Sequence, residues 1–333
     1  MTEMGHVPVL LPEVLEALAP CAGETYVDGT FGGGGYARRV LAAAECTVYG
    51  IDRDLDAIAR AEKMAQAEPR LIPLMGRFGD MDALLLNSGV SHVHGVMLDI
   101  GVSSFQIDQG ERGFSFMRDG ALDMRMGQSG PSAADVVNHM PEAGLAAVLK
   151  QLGEERQARR IAKFICDRRA ITPFRTTLDL AETIEQAVGG RRGRKTHPAT
   201  LSFQAIRMYV NDELGELARG LAAAERMLLP GGRLVVVTFH SLEDRLVKRF
   251  MRTRSGVTSG GSRYLPEKLS GPAPSFDLEQ RKAIEASETE LEANPRARSA
   301  RLRVVIRTDA DPWREPVDTG TDLPPLDKLE LAV

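Results

Sequence analysis

Cysteine is scarce in this 333-residue chain: only Cys21, Cys46 and Cys166 occur, far apart and with no CxxC pair. An odd number of scattered thiols argues against a disulfide framework and a cysteine-built zinc site, so a reduced, cytoplasmic protein without a metal is expected. Long apolar runs are missing too. The longest, such as 234–239, have strand length, and residues 1–7, MTEMGHV, place no basic run before an apolar one. Neither secretion nor a membrane span is therefore expected. Positive charge is not in surplus: 42 Lys and Arg stand against 46 Asp and Glu, a net charge of −4. That balance does not announce a nucleic-acid binder, yet it hides a gradient, because 150–210 holds thirteen Lys and Arg against six Asp and Glu. Such a stretch is either a basic surface or a solvated helical face, and charge alone does not choose between them.

What is present is ordinary globular material, 43% hydrophobic and 26% charged, long enough for two domains. The first hundred residues alternate: strand patterns at 25–28, 46–52, 71–75 and 93–99 are separated by helical patterns at 35–44, 54–67 and 81–86. Alternation of this kind predicts a parallel sheet covered on both faces. From 131 to about 210 the spacing is helical throughout, with helices expected at 132–139, 141–152, 154–169 and 177–188. Leu201, Ile206, Val210, Leu214, Leu217, Leu221, Ala224 and Leu228 continue the pattern and predict one long helix leading back to the sheet. After the Pro230-Gly231-Gly232 turn come a buried strand at 233–239, a helix at 241–252, a polar stretch at 255–295 read as an arm or lid, and a last strand at 302–306. The expected architecture is an α/β doubly wound sheet formed by 1–108 and 212–333, with an inserted all-helical domain at 109–211.

Chemistry concentrates where strands end. The loop DGTFGGGG at 28–35 lies between the first strand and first helix, where side-chain-free residues admit a ligand close to the backbone. Four glycines alone would be consistent with a tight turn. Asp52 closes the second strand, however, and a carboxylate there accepts hydrogen bonds from the hydroxyls of an adenosine ribose. Asp28 at the loop suits an ammonium better than a diphosphate, which favours S-adenosylmethionine over a nicotinamide dinucleotide; no hydride-transfer set stands out. Asp99 closes the fourth strand and opens the segment DIGVSSFQIDQGERGFSFMRDGALDMRM at 99–126, which is glycine-rich and polar yet not low in complexity. A loop so placed reads as a site.

Several segments carry a resemblance: HVPVLLPEVLEAL, YVDGTFGGGGY, GIDRD, DIGVSSFQID with ERGFSFMRDGALDMRM, HPATLSFQAIRMYVNDEL, FHSLEDRLVKRFM and NPRARSARLR, in order from 6 to 303. Together they resemble the bacterial 16S rRNA cytosine-N4 methyltransferase family (RsmH, formerly MraW). The resemblance implies a class I S-adenosylmethionine-dependent methyltransferase with a Rossmann-like sheet. It also implies methylation of the exocyclic amine of cytidine 1402, in standard rRNA numbering, with 16S rRNA or the small ribosomal subunit as partner and no membrane. Its cofactor contacts fall on Gly34, Gly35 and Tyr36, on Asp52, on Phe78, on Asp99 and on Gln106. Phe78 taken alone is as well explained as a core residue. The sequence departs from the family where Tyr36 replaces a histidine, Phe105 a frequent proline, and Leu201-Ser202 an Arg-Thr pair.

The amine of cytosine is a poor nucleophile because its lone pair is delocalised into the ring, so an acceptor beside it is needed. Amino-methylating enzymes of other families follow strand four with an Asp, Asn or Ser, two prolines and an aromatic. Asp99-Ile-Gly-Val lacks the prolines and the adjacent aromatic, leaving Asp99 as the candidate acceptor, or as a cofactor ligand only. His240, after a later strand, is a second catalytic candidate, though a histidine there is more often a satisfied polar residue. Phe105, Phe114 and Phe116 are candidates for stacking the base. Arg191, Arg192, Arg194 and Lys195 form the densest basic cluster and are the expected RNA contacts, with a solvated loop as the competing reading. A catalytically silent RNA-binding assembly factor, or an amino-methyltransferase acting on DNA, would share many of these features.

Overall fold

The computed structural model describes residues 8–127, 129–191, 193, 196–257, 272–324 and 326. Contacts gather the chain into two compact units, Met1–Gly101 with Leu214–Thr319, and Val102–Glu213 with Gly320–Val333. The expected insert at 109–211 thus starts earlier, and the end of the chain groups with the helical unit instead of the sheet. Tyr209 Oη donates to the Pro324 carbonyl (2.7 Å) and Gln151 Oε1 accepts from Asp322 N (3.0 Å), which ties that segment down.

In the first unit the strands are β1 (Thr25–Asp28), β2 (Thr47–Asp52), β3 (Leu71–Met75), β4 (Val93–Asp99), β5 (Leu228–Thr238), β6 (Phe276–Asp277) and β7 (Arg301–Arg307). They form one sheet in the order β3-β2-β1-β4-β5-β7-β6, parallel from β3 through β5, with β7 antiparallel to both its neighbours. Between β1 and β4 the strand order reverses, and the carboxyl ends of these two strands flank the crevice in which such sheets bind ligands. The helices of this unit that matter for the site are α1 (Leu11–Leu18), α2 (Gly35–Ala43), α3 (Leu55–Ala67) and α4 (Met81–Asn87). Val14, Leu18, Tyr36, Ala37, Val40 and Leu41 pack with Met97, Val235, Val237 and Leu302 into one buried cluster.

The second unit contains α5 (Ser104–Asp108), α6 (Ala133–His139), α7 (Glu142–Gly153), α8 (Ala158–Arg169), α9 (Thr177–Ala187) and α10 (Thr200–Val210). Helix α7 packs on α8 and α10, and α8 on α9. The α7–α10 approach needs Gly153, where a Cβ would stand 2.7 Å from the Leu201 carbonyl oxygen. Among the described residues no helix is long and apolar enough to cross a membrane.

Three expectations are corrected. The predicted long helix is two, α10 and α11 (Glu213–Met227), because Asp212 turns left-handed (φ 48°) and Asn211 spends its side chain on the Met124 carbonyl (2.7 Å) and the Met126 amide (2.8 Å). Asn and Asp are the residues that tolerate this conformation after glycine. Strand β5 starts at Leu228, before the glycines; pairing with β4 slips between Val93↔Leu228 and Gly95↔Arg233, so Pro230-Gly231-Gly232 is a bulge within the strand. The 255–295 stretch is not an arm throughout. Its portion 258–271 lies outside the described residues, but β6 completes the sheet edge and α13 (Glu288–Ala293) follows, after α12 (Ser241–Arg254) has covered the sheet.

Phe276 of β6 is fully buried, with the Phe250 ring 5.8 Å away edge-on and the Arg307 guanidinium 5.9 Å from its centroid. Phe276→Ala is therefore expected to cost about 3–5 kcal/mol in urea unfolding. A loss near zero would restore the arm reading for this segment.

Candidate active site

The three acids expected at strand ends are there, and each is held differently. Asp28, at the end of β1, is 1% exposed; its Oδ1 accepts from Thr30 N at 3.2 Å, while Oδ2 is enclosed without a hydrogen-bond partner. Asp99, at the end of β4, is half-buried, and its Oδ1 is likewise enclosed and unpartnered. Its backbone N donates to Thr30 Oγ1 at 2.7 Å, so one threonine reaches the backbone of Asp99 with its hydroxyl and the carboxylate of Asp28 with its backbone N. Asp52, at the end of β2, is fully used: Oδ2 accepts from Gly32 N (2.8 Å) and Oδ1 from Asp54 N (2.9 Å). It shapes the glycine loop from below, and each oxygen keeps a second lone pair for a ribose hydroxyl.

Burial sets the electrostatics. It pushes Asp99 up to about 8, assisted by the nearby Asp28 and Glu243 carboxylates, and Asp28 up to about 7 against its Thr30 hydrogen bond and with help from Asp52. Asp52 is raised by burial and pulled back by its two backbone donors. With Val14, Tyr36, Met97, Leu98, Val235 and Val237, the acids Asp28 and Asp99 line a small pocket. Its walls are largely apolar and its two acids ionise readily only beside a positive charge, a composition that suits a cation and disfavours a phosphate.

The glycine loop is shaped by sterics. Phe31 folds back over it, fully buried: a Cβ on Gly34 (φ +71°) would stand 2.5 Å from Phe31 Cζ, and one on Gly50 of β2 would stand 2.6 Å from Phe31 Cδ2. Gly34 caps α2 in the left-handed conformation, and Gly35 begins the helix against Pro8. Tyr36 is buried and its hydroxyl donates to the Val9 carbonyl, so the position that usually carries a histidine here ties the loop to the segment before α1. Burial pushes that phenol well above its ordinary value.

The far side of the crevice is built from β2, β3 and α11. Phe78, half-buried in the turn Phe78–Asp80, lies against Gly220 of α11, where a Cβ would meet its Cδ2 at 2.4 Å. Buried Glu216, also of α11, pairs with Arg53 (2.9 Å) and Arg77 (3.0 Å), residues that follow β2 and β3. Arg53 stands in the motif GIDRD, but Arg77 and Glu216 lie outside the motifs, and a pairing over such a separation has no local signature.

His240 precedes α12 as its N-cap. Its Nδ1 accepts from Glu243 N at 3.5 Å and its Nε2 lies 2.8 Å from Glu243 Oε1, while Glu243 Oε2 accepts from Phe239 N (3.0 Å) and His240 N (3.3 Å). This capping box accounts for the histidine structurally. Glu243, wholly buried and raising Asp99, is the residue the sequence reading passed over.

The remaining candidates belong to the second unit. Gln106 forms a capping box with Ser103, its Oε1 accepting from Ser103 N at 3.1 Å. Phe116 is ringed by His197 (4.4 Å) and Phe203 (4.9 Å), Phe114 lies beneath the Arg112 guanidinium (5.5 Å), and Phe105 is 40% exposed. The loop that bears Phe114 and Phe116 is tightly closed, since a Cβ on Gly113 would stand 2.2 Å from the Ala121 carbonyl oxygen. Arg191 is exposed, its Nε 2.9 Å from Glu185 Oε2; Arg192, Arg194 and Lys195 lie outside the described residues.

A parallel sheet of this strand order, with a reversed β7 and an acid at the end of β1, β2 and β4, is a Rossmann-like methyltransferase fold. The chain belongs to the MraW methylase family, whose model matches residues 3–308. It is 67% identical over 328 residues to ribosomal RNA small subunit methyltransferase H of Hyphomonas neptunium, covering 98% of this chain and 96% of that protein. Proteins of the same name from Maricaulis maris and Caulobacter vibrioides are 54% and 57% identical, over 335 and 313 residues, covering 100% and 94% of this chain and 100% and 99% of theirs.

The raised acids make stability depend on pH with a defined sign. Unfolded, both carboxylates ionise near 3.8; folded and without a ligand, Asp28 and Asp99 ionise near 7 and 8. The folded state therefore binds more protons between these limits, and the associated stability, present at low pH, is lost as pH rises through 7 to 8. The unfolding free energy of ligand-free protein, and with it the melting temperature, is expected to fall from pH 5 to 8, at up to about 1.4 kcal/mol per pH unit for each group between its unfolded and folded ionisation. Asp28→Asn and Asp99→Asn should flatten that slope and stabilise the protein at pH 8.5. Parallel profiles for wild type and both variants would contradict the assignment.

Proposed function

We propose that the protein transfers a methyl group from S-adenosylmethionine to the exocyclic N4 amine of cytidine 1402 of 16S rRNA, as free RNA or within the small ribosomal subunit, in the cytoplasm. The observation that carries this reading is the pair of enclosed, unpartnered carboxylate oxygens, Asp28 Oδ2 and Asp99 Oδ1, in an apolar pocket at the switch point. A ligand with an ammonium and a sulfonium satisfies both; a dinucleotide diphosphate satisfies neither. The names of the relatives support ribosomal RNA as substrate.

The residues fit that cofactor. Asp28 would hold the ammonium, the backbone of Gly34, Gly35 and Tyr36 the amino-acid end, Asp52 the ribose and Phe78 the adenine. When bound, the cofactor supplies an electrophilic methyl group on sulfur. Cationic charge in the pocket offsets the burial and like-charge penalties on Asp99 and leaves it a carboxylate, the form that accepts a proton from the amine. Glu243 holds the start of α12 and keeps further negative charge behind Asp99. Arg191, Arg192, Arg194 and Lys195 would take RNA phosphates, as point charges on a loop can.

Incubating the purified protein with labelled S-adenosylmethionine and small subunits, 16S rRNA or DNA, then mapping the product, tests the reading. Label on N4 of cytidine 1402 is expected, and Asp99→Ala should lower kcat by about a hundredfold or more. Labelling of DNA without rRNA would overturn the substrate, a failure to label any substrate would favour the silent assembly factor, and undiminished turnover by Asp99→Ala would remove Asp99 from the chemistry.

A further inference from the structure

A neutral pyrimidine needs a flat surface to hold it while its amine meets an acceptor, and the residues immediately after the fourth strand offer none: Asp99 is followed by Ile100, Gly101 and Val102. The neighbouring strand does. Asp99 pairs with Val237, and Ile100 N continues the ladder to the Val237 carbonyl at 2.9 Å. Side chains alternate across a sheet, so Met97, Asp99 and position 101 of one strand share a face with Val235, Val237 and position 239 of the other. This is the pocket face: Val14, Tyr36, Met97, Asp99, Val235 and Val237 all line it.

Phe239 is the next step outward in that column. It is half-buried, packed by its inner side on the same apolar cluster. Beside it stands Gly101, with φ +127°, a conformation that disfavours any other residue. Among the described residues, a Cβ built there would meet Phe239 Cδ2 at 3.8 Å and no other heavy atom within 4 Å. Glycine thus leaves the space between itself and the edge of the ring without a side chain, one residue pair beyond Asp99. The backbone that bears the ring is also held, since Phe239 N donates to Oε2 of the buried Glu243.

We propose that Phe239 is the stacking platform for the target cytosine, supplying from just after β5 the aromatic that is missing directly after Asp99, and that glycine at 101 leaves room beside the ring. The assignment rests on the proposed rRNA cytosine methylation. It differs from a role for Phe114 or Phe116, whose rings already meet Arg112, His197 and Phe203.

The test compares Phe239→Leu, which keeps apolar volume without a flat face, with Phe239→Tyr, which restores the face. Steady-state methylation of small subunits, S-adenosylhomocysteine binding by calorimetry and melting temperature are measured for each. Loss of one base–aromatic stack predicts that F239L loses about five- to a hundredfold in kcat/KM, mainly through KM for the subunit. Its S-adenosylhomocysteine affinity should stay within about twofold of wild type. F239Y is expected to recover most of the loss. F239L with kcat/KM within about twofold of wild type, a parallel fall in S-adenosylhomocysteine affinity, or no recovery in F239Y would overturn the assignment. Absence of methylation by the wild-type protein would instead overturn the underlying reading.

Discussion

Two carboxylates kept from water at the ends of adjacent parallel strands are the constraint around which this molecule is arranged. Asp28 and Asp99 each hold an enclosed oxygen without a hydrogen-bond partner among the described residues, and Glu243 adds negative charge near Asp99. Such an arrangement costs stability in the free protein, because burying ionisable groups without partners is unfavourable and like charges worsen it. It persists because the backbone bearing those acids cannot relax. β1 and β4 are central strands, Thr30 couples their ends, and the apolar faces of α1 and α2 close the pocket. The unfavourable term in the empty pocket becomes a favourable one when a cation enters, a differential that makes the site selective for charge as well as shape.

The surrounding features serve the same end. Glycine at 34, 35 and 50 lets Phe31 and Pro8 pack where a Cβ would collide, which holds the loop in one shape above Asp52. The Arg53–Glu216–Arg77 clamp fixes α11 against the strand ends at the far side of the crevice, beside the Phe78–Gly220 contact. The His240–Glu243 capping box fixes the corner after β5 and, with it, Phe239. Rigid strand ends and capped helices place these side chains more accurately than free loops would.

Much of this was legible in the sequence because the signals were local. Apolar runs closed by an acid located Asp28, Asp52 and Asp99, and helix periodicity located α2, α3 and most of the second unit. What escaped had no local signature. Helix α1 is bounded by left-handed Leu10 and Ala19 without a side-chain cap at its start, and β6 is two residues long, below any periodicity. The apolar spacing runs unbroken through Asn211-Asp212, so only the turn chemistry of those two residues marks the break between α10 and α11. Phe239 reads as the last residue of a buried strand until the register with Gly101 is known. His240 carries two readings in the sequence, catalytic or satisfied, and its partner Glu243 three positions on is a capping pattern in its own right.

The account depends most directly on the protonation of the pocket. Calorimetric binding of S-adenosylmethionine at pH 7, repeated in buffers of differing ionisation enthalpy, reports protons released on binding. With Asp28 and Asp99 raised to about 7 and 8 in the free protein, entry of a cationic ligand should release roughly one proton or more per site. The release should shrink in Asp99→Asn. Binding with no proton release in the wild-type protein, or with proton uptake, would contradict it.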